Sequence, residues 1–270
     1  MIPMKLHAID YPFVLLTPCF SGGAGGKDGP SAMRVPAIRG QLREWHRMLF
    51  NNANANEVWG SAAGSDGSSS RVALSLLGSP PSSDRRAPVL PHKYQSGRAA
   101  LTEGTCFVVR LQRLVHCRDD DWKHAGRAMR TWLLAGCLGY RANRAAGSVW
   151  PADGPTPDDP GALASELRTL GLRLPLRISD PPGQFNALKL RETASDTVSI
   201  PRFFGDAGNT RKPSPIRFKV VSFRGGASLL ATVVTPPAGG GGPLAEQVLE
   251  DGLAVLSPKP CWSGIHWLPL

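Results

Sequence analysis

From Pro36 to Leu49 the apolar residues Ile38, Leu42, Trp45 and Leu49 recur at intervals of four, three and four, which places them on one face of an α-helix. A helix with a single apolar face needs a flat apolar partner, so this spacing calls for a sheet. Strand patterns surround it. Residues 5–16 read as a first strand that ends at Thr17-Pro18 and runs into a loop holding Gly22, Gly23, Gly25, Gly26 and Gly29. Pro36 suits the first turn of the helix that follows.

Strand patterns return at 71–77 and 107–115. Asp119, Asp120 and Asp121 then favour a helix N-terminus, as a solvated cap rather than a metal site, and Trp122, Ala125, Met129, Trp132 and Leu133 continue at helical spacing. Val149-Trp150 reads as a short closing strand. The order strand, helix, strand, strand, helix, strand is that of a ferredoxin-like unit over residues 1–150. Two insertions interrupt it: the polar stretch 51–70, with Trp59 as its one apolar anchor, and the proline-containing excursion 78–104.

Residues 151–161 resemble a linker. Beyond them, 163–170 and 244–256 read as helices, and 172–178, 187–191, 216–223 and 229–234 as strands. Residues 151–270 are therefore expected to form a second, degenerate ferredoxin-like domain, without a sequence repeat that would demonstrate duplication. The class is α+β: two ferredoxin-like (RRM-like) domains with long Gly/Pro-rich loops, which the 30 glycines and 25 prolines require.

Charge is uneven between the halves. Residues 1–150 hold 19 Lys+Arg against 10 Asp+Glu, and residues 151–270 hold 12 against 11. A cationic half attracts polyanions such as RNA or DNA. Of the 31 basic residues 23 are arginine, whose planar fork binds two acceptors and stacks on rings, although an Arg-rich codon bias would produce the same excess. The five cysteines are scattered without a CxxC pair and read as reduced core thiols. No apolar run reaches membrane-spanning length, and the N-terminal residues lack a signal-peptide core, so a cytoplasmic protein with no membrane partner is expected.

Several chemistries lack their signatures. The glycine run ending at Lys27 has the wrong spacing for a phosphate-binding P-loop, and Asp28 stands where a Ser or Thr would hold Mg²⁺. There is no HExxH, no GxSxG and no His/Cys cluster at ligand spacing, so neither metal nor cofactor is expected. Six histidines remain that could deprotonate a ribose hydroxyl, with His46 and His7 the candidates for an RNA-cleaving base.

The positive signals are cationic. Arg39, Arg43 and Arg47 recur every four residues as a stripe beside the apolar face, with Arg34 just before the helix and Glu44 as its only acid. A solvated helix face is the plainer alternative. The segment from Gly139 to Trp150 carries Tyr140, Arg141, Asn143 and Arg144 between glycines, a loop able to clamp a sugar-phosphate strand while an aromatic ring stacks a base; equally, its glycines could merely end a helix.

In order, LLTPCFSGGAGG, MRVPAIRGQLREWHRMLF, EVWGSAAGSDGSSSRVAL and LGYRANRAAGSVW resemble the RAMP superfamily of CRISPR-associated proteins, and within it the first-numbered Cmr subunits of type III-B effectors. The matching positions include Thr17, Pro18, Gly22, Arg34, Pro36, Gly40, Arg43, Trp45, Arg47, Gly60, Arg71, Gly139, Arg141, Arg144 and Gly147. The resemblance covers about the first 150 residues, and less specifically FFGDAGNTRKPSPIRFKVV further on. It implies an RNA-binding, non-catalytic subunit of an antiviral ribonucleoprotein, with no catalytic residues of its own. Its partners would be the 3′ region of the crRNA, target RNA and other Cmr/RAMP subunits. The implied RNA-binding residues are Arg34, Arg39, Arg43, Trp45, His46, Arg47, Arg71, Tyr140, Arg141, Asn143, Arg144 and Lys212. The alternative is a RAMP-fold, metal-independent endoribonuclease that processes precursor crRNA.

Overall fold

The computed structural model describes residues 7–23, 26–51, 54–61, 67–79, 82–91, 93, 97–181, 186–197, 200–205, 214–234 and 242–268. Four antiparallel strands form the first sheet: β1 (Ala8–Leu15), β2 (Val72–Leu77), β3 (Cys106–Arg113) and β4 (Val149–Pro151). Their order across the sheet is β2-β3-β1-β4, the ferredoxin-like arrangement expected from the order of elements. The register pairs Phe13 with Phe107 and Leu74 with Leu111, aligning buried side chains on one face.

Helix α1 (Val35–Phe50) buries Ile38, Leu42, Trp45 and His46. After α2 (Ala55–Trp59), helix α3 (Asp119–Ala135) starts at the aspartate run, where the backbone N–H of Arg118 donates to Asp121 at 3.3 Å. Asp121 is buried and not a solvated cap. Burial pushes its carboxyl up, but hydrogen bonds from Arg118 and Arg71 outweigh that and hold it below the usual carboxylate range. Within the segment 51–70, the described residues around the anchor are helical, and Ala55 and Val58 join Trp59 in the core.

The second half contributes α4 (Pro160–Thr169), β5 (Leu176–Ile178), α5 (Ala187–Ser195), α6 (Pro201–Phe204), β6 (Ile216–Phe223), β7 (Gly226–Val233) and α7 (Gly242–Leu256). The strands form an antiparallel sheet in the order β5-β7-β6. Residues 187–191, expected as a strand, are helical. The Asn186 side chain accepts from the Lys189 N–H at 2.9 Å and caps α5. One apolar cluster takes residues from both halves, from Phe13 and Trp132 to Leu163, Val221 and Phe223. A second gathers Phe203, Phe218, Leu249 and Trp262.

Lys219 of β6 joins the two sheets. It is buried, and its Nζ donates to the carbonyls of Leu133 (2.6 Å), Gly136 (2.8 Å) and Val149 (2.6 Å). Two of these carbonyls lie at the C-terminal end of α3, where a cation is favoured. The excursion 78–104 is also tied down. Ser82–Ser83 pairs with Ser31–Ala32, Arg86–Ala87 with Arg98–Ala99, and Val89 and Ala100 pack on Phe20 and Ala146. Arg191 of α5 holds it from the second half, donating to the carbonyls of Pro88 at 2.7 Å and Val89 at 3.3 Å. All five cysteines are free, and Cys106 departs from the expected core thiols by being exposed.

Candidate nucleic-acid interface

Helix α1 presents its cations as the spacing predicts. Arg34 and Arg47 are exposed and Arg39 is half-buried. Among the described residues the side chains of Arg34 and Arg39 make no ion pair or hydrogen bond, and that of Arg47 donates only to the Asn56 side chain, at 2.9 Å. Glu44, the one acid of the helix, is drawn away by Arg217 of β6. Among the described residues the stripe therefore carries no compensating carboxylate, and burial together with Arg47 and Arg39 pushes the Arg43 guanidinium below its ordinary value. Like charges four residues apart cost helix stability, a cost that a bound polyanion would offset. Arg43 is less available than its neighbours, because its Nη2 donates to the carbonyls of Trp59 (3.5 Å) and Gly60.

The loop from Gly139 to Gly147 is knitted to the Thr17-Pro18 turn. Thr17 Oγ1 donates to the Ala145 carbonyl at 2.6 Å, the Gly147 N–H to the Pro18 carbonyl at 2.9 Å, and the Tyr140 N–H to the Phe20 carbonyl at 2.9 Å. This explains why the two motifs occur together. Gly147 has φ +64°, and a Cβ there would collide with the Leu138 carbonyl, so only glycine lets the backbones approach. Arg141 adopts φ +65°, a conformation costly for a long side chain. Tyr140 is 50% exposed, with the guanidiniums of Arg141 and Arg98 each 5.6 Å from its ring centroid. Asn143 is half-buried, and its carbonyl accepts from the Phe218 N–H at 3.2 Å.

Four of the expected contact residues are buried or engaged within the chain. Trp45 (1% exposed) and His46 (0%) lie in the core, so neither ring can stack a base from solvent. His46 packs edge-on against Phe50, Trp59 and His124. Arg144 is buried: its Nη2 donates to the Phe204 carbonyl at 2.6 Å, and its Nη1 to Ser214 Oγ at 3.1 Å and the Ile216 carbonyl at 3.4 Å. Burial pushes it down to about 10, with Arg141 adding to the shift, so it is a charged strut between the halves. Arg71 is held at 2.6 Å by both Glu57 and Asp121. Lys212 lies outside the described residues.

What remains is a solvent-facing set made of Arg34, Arg39 and Arg47 on the helix and Tyr140 and Arg141 on the loop, with Arg98 added by the excursion. The Arg34 guanidinium lies over the glycine loop, its Nη2 3.8 Å from where a Cβ on Gly22 would stand. Chemically the set offers guanidiniums and one half-exposed ring, a combination that suits single-stranded nucleic acid. Among the described residues no helix is long and apolar enough to cross a membrane.

The class defined by this architecture is α+β with antiparallel sheets, the first of them ferredoxin-like. More particularly, the fold is similar to that of Cmr1 and of chains of the Cmr-beta complex. Cmr1 from Pyrococcus furiosus in its apo form superposes with a TM-score of 0.55 at 16% identity, over 84% of this chain and 87% of that one. A chain of the type III-B Cmr-beta complex bound to cognate target RNA gives 0.56 at 10% identity, over 94% of this chain and all of that one. The same complex with target RNA and AMPPnP, in the presence of ssDNA, gives 0.53 at 10% identity. No family model matches, and no curated protein matches in sequence.

Proposed function

We propose that this chain is a non-catalytic, RNA-binding subunit of a type III-B, Cmr-type CRISPR effector complex, holding the 3′ region of the crRNA beside other RAMP subunits and contacting target RNA. The observation that carries the reading is the uncompensated arginine stripe of α1, set in a fold shared with subunits of that complex. Its outward arginines supply a sequence-independent attraction for phosphates, and Arg141 beside Tyr140 offers a second cation next to an aromatic ring on the loop. Arg43 supports the backbone of the interface by donating to the Gly60 carbonyl, and Asn143 by accepting on its own carbonyl from the Phe218 N–H.

The endoribonuclease alternative would need an accessible base. Of its two candidates, His46 is buried on the inner face of α1, and His7 is exposed just before β1. The test is to coexpress the tagged chain with the other effector subunits and a crRNA array, then sequence the retained RNA after nuclease trimming. Retention of crRNA with protected 3′ ends, lost when this subunit is omitted, supports the reading. Trimmed 3′ ends with and without the subunit would contradict it, as would metal-free cleavage of repeat RNA by the purified chain.

A further inference from the structure

The excursion 78–104 was expected only as an insertion, yet it reaches the candidate interface. The ribbon formed by Arg86–Ala87 and Arg98–Ala99 lies against the Gly139–Gly147 loop through Val89, Ala100, Phe20 and Ala146. Its charged residues are Arg85, Arg86, Lys93 and Arg98, with Asp84 the one acid among residues 82–101. The ribbon brings Arg98 beside Tyr140 from one chain segment while Arg141 approaches from another. A half-exposed ring with two guanidiniums 5.6 Å from its centroid has the parts of a nucleotide clamp: an aromatic ring for one base, and cations for the phosphates beside it. The anchoring is rigid enough to position it. The loop is fixed by Thr17 and Gly147, and the ribbon by Arg191, whose buried guanidinium also lies over the Phe20 ring at 5.3 Å.

We propose that Tyr140, flanked by Arg98 and Arg141, is a stacking clamp for one unpaired nucleotide of the bound single-stranded RNA, with the excursion as its second jaw. This rests on the RNA-binding reading above and adds to it a site for a base, where the α1 stripe offers sites only for phosphates.

The test uses the full chain and a set of guide-length RNAs, each abasic at one position. Wild type is expected to bind one member of the set about tenfold more weakly than intact RNA, within what a single base–aromatic stack contributes. Tyr140→Leu should lose that discrimination, whereas Tyr140→Phe and Tyr140→Trp should keep it. Arg141→Gln should flatten the slope of log affinity against log salt by about 0.7, the share of one phosphate contact. A flat abasic scan, or equal discrimination by wild type and Tyr140→Leu, would overturn the clamp while salt-dependent binding left the RNA reading standing. Absence of salt-dependent binding by wild type would overturn both.

Discussion

Helix α1 and the Gly139–Gly147 loop each carry arginines at short intervals, and they use them in opposite ways. On α1, Arg47 stays outside and Arg39 is half-buried, Arg43 leans onto the carbonyls of Trp59 and Gly60, and among the described residues none of the three has an acid to neutralise it. On the loop two arginines three residues apart part company. Arg141 remains at the surface beside Tyr140, whereas Arg144 turns inward to carbonyls of the second half. Residue type and motif position are the same, and burial alone separates an anion-binding cation from a structural one. An arginine whose donors are satisfied by buried carbonyls cannot leave them for a phosphate without orphaning those acceptors.

The largest effect that could break this contrast is on stability. Arg144→Leu should destabilise the fold by about 3 kcal/mol, because several buried acceptors lose their donor at once, whereas Arg141→Gln should change it by less than about 0.5 kcal/mol. Urea midpoints of the two variants measure the difference, and equal midpoints would erase the distinction. Next comes His46→Ala, which should cost about 2 kcal/mol through lost packing against Phe50 and Trp59. RNA affinity of the folded variant should stay within about twofold of wild type, and a large drop would return His46 to the interface.

Lys219 sharpens the comparison further, since it is a buried cation that burial pushes from 10.5 down to about 7. Between those values the unfolded chain holds a proton that the folded chain has released, so stability rises with pH across that window. The penalty on the fold is greatest at and below about pH 7 and is relieved toward 10.5. Lys219→Met should lose this pH-dependent gain, which urea titrations at pH 7 and 9 would register. A wild-type stability that fell between those pH values with no change in the variant's slope would show that the ammonium stays charged among its three carbonyls.

Much of the first sheet was legible because helical and strand periods alternate cleanly there, and the strand order follows from the order of elements. Residues 187–191 were misread because Ala187, Leu188 and Leu190 fit either period over so short a run; Asn186 and the helix-favouring residues beyond it were the signal passed over. His46 could have been placed from sequence too. It lies four residues after Leu42, on the same helical face, and its polar identity obscured its position. Arg144 offered no such clue, since its acceptors Phe204, Ser214 and Ile216 lie 60 to 72 residues away in sequence. The contribution of Arg98 was hidden in the same way, because it depends on an excursion folding back on the loop.

The outward arginines of α1 are tested most directly by replacing Arg39 and Arg47 with glutamine and measuring affinity for guide-length RNA across a salt series. The apolar face stays intact, so folding stability should move by less than about 0.5 kcal/mol. Two lost phosphate contacts should flatten the slope of log affinity against log salt by about 1.4, with affinity falling evenly across RNA sequences. A slope identical to wild type in the folded double variant would contradict the interface.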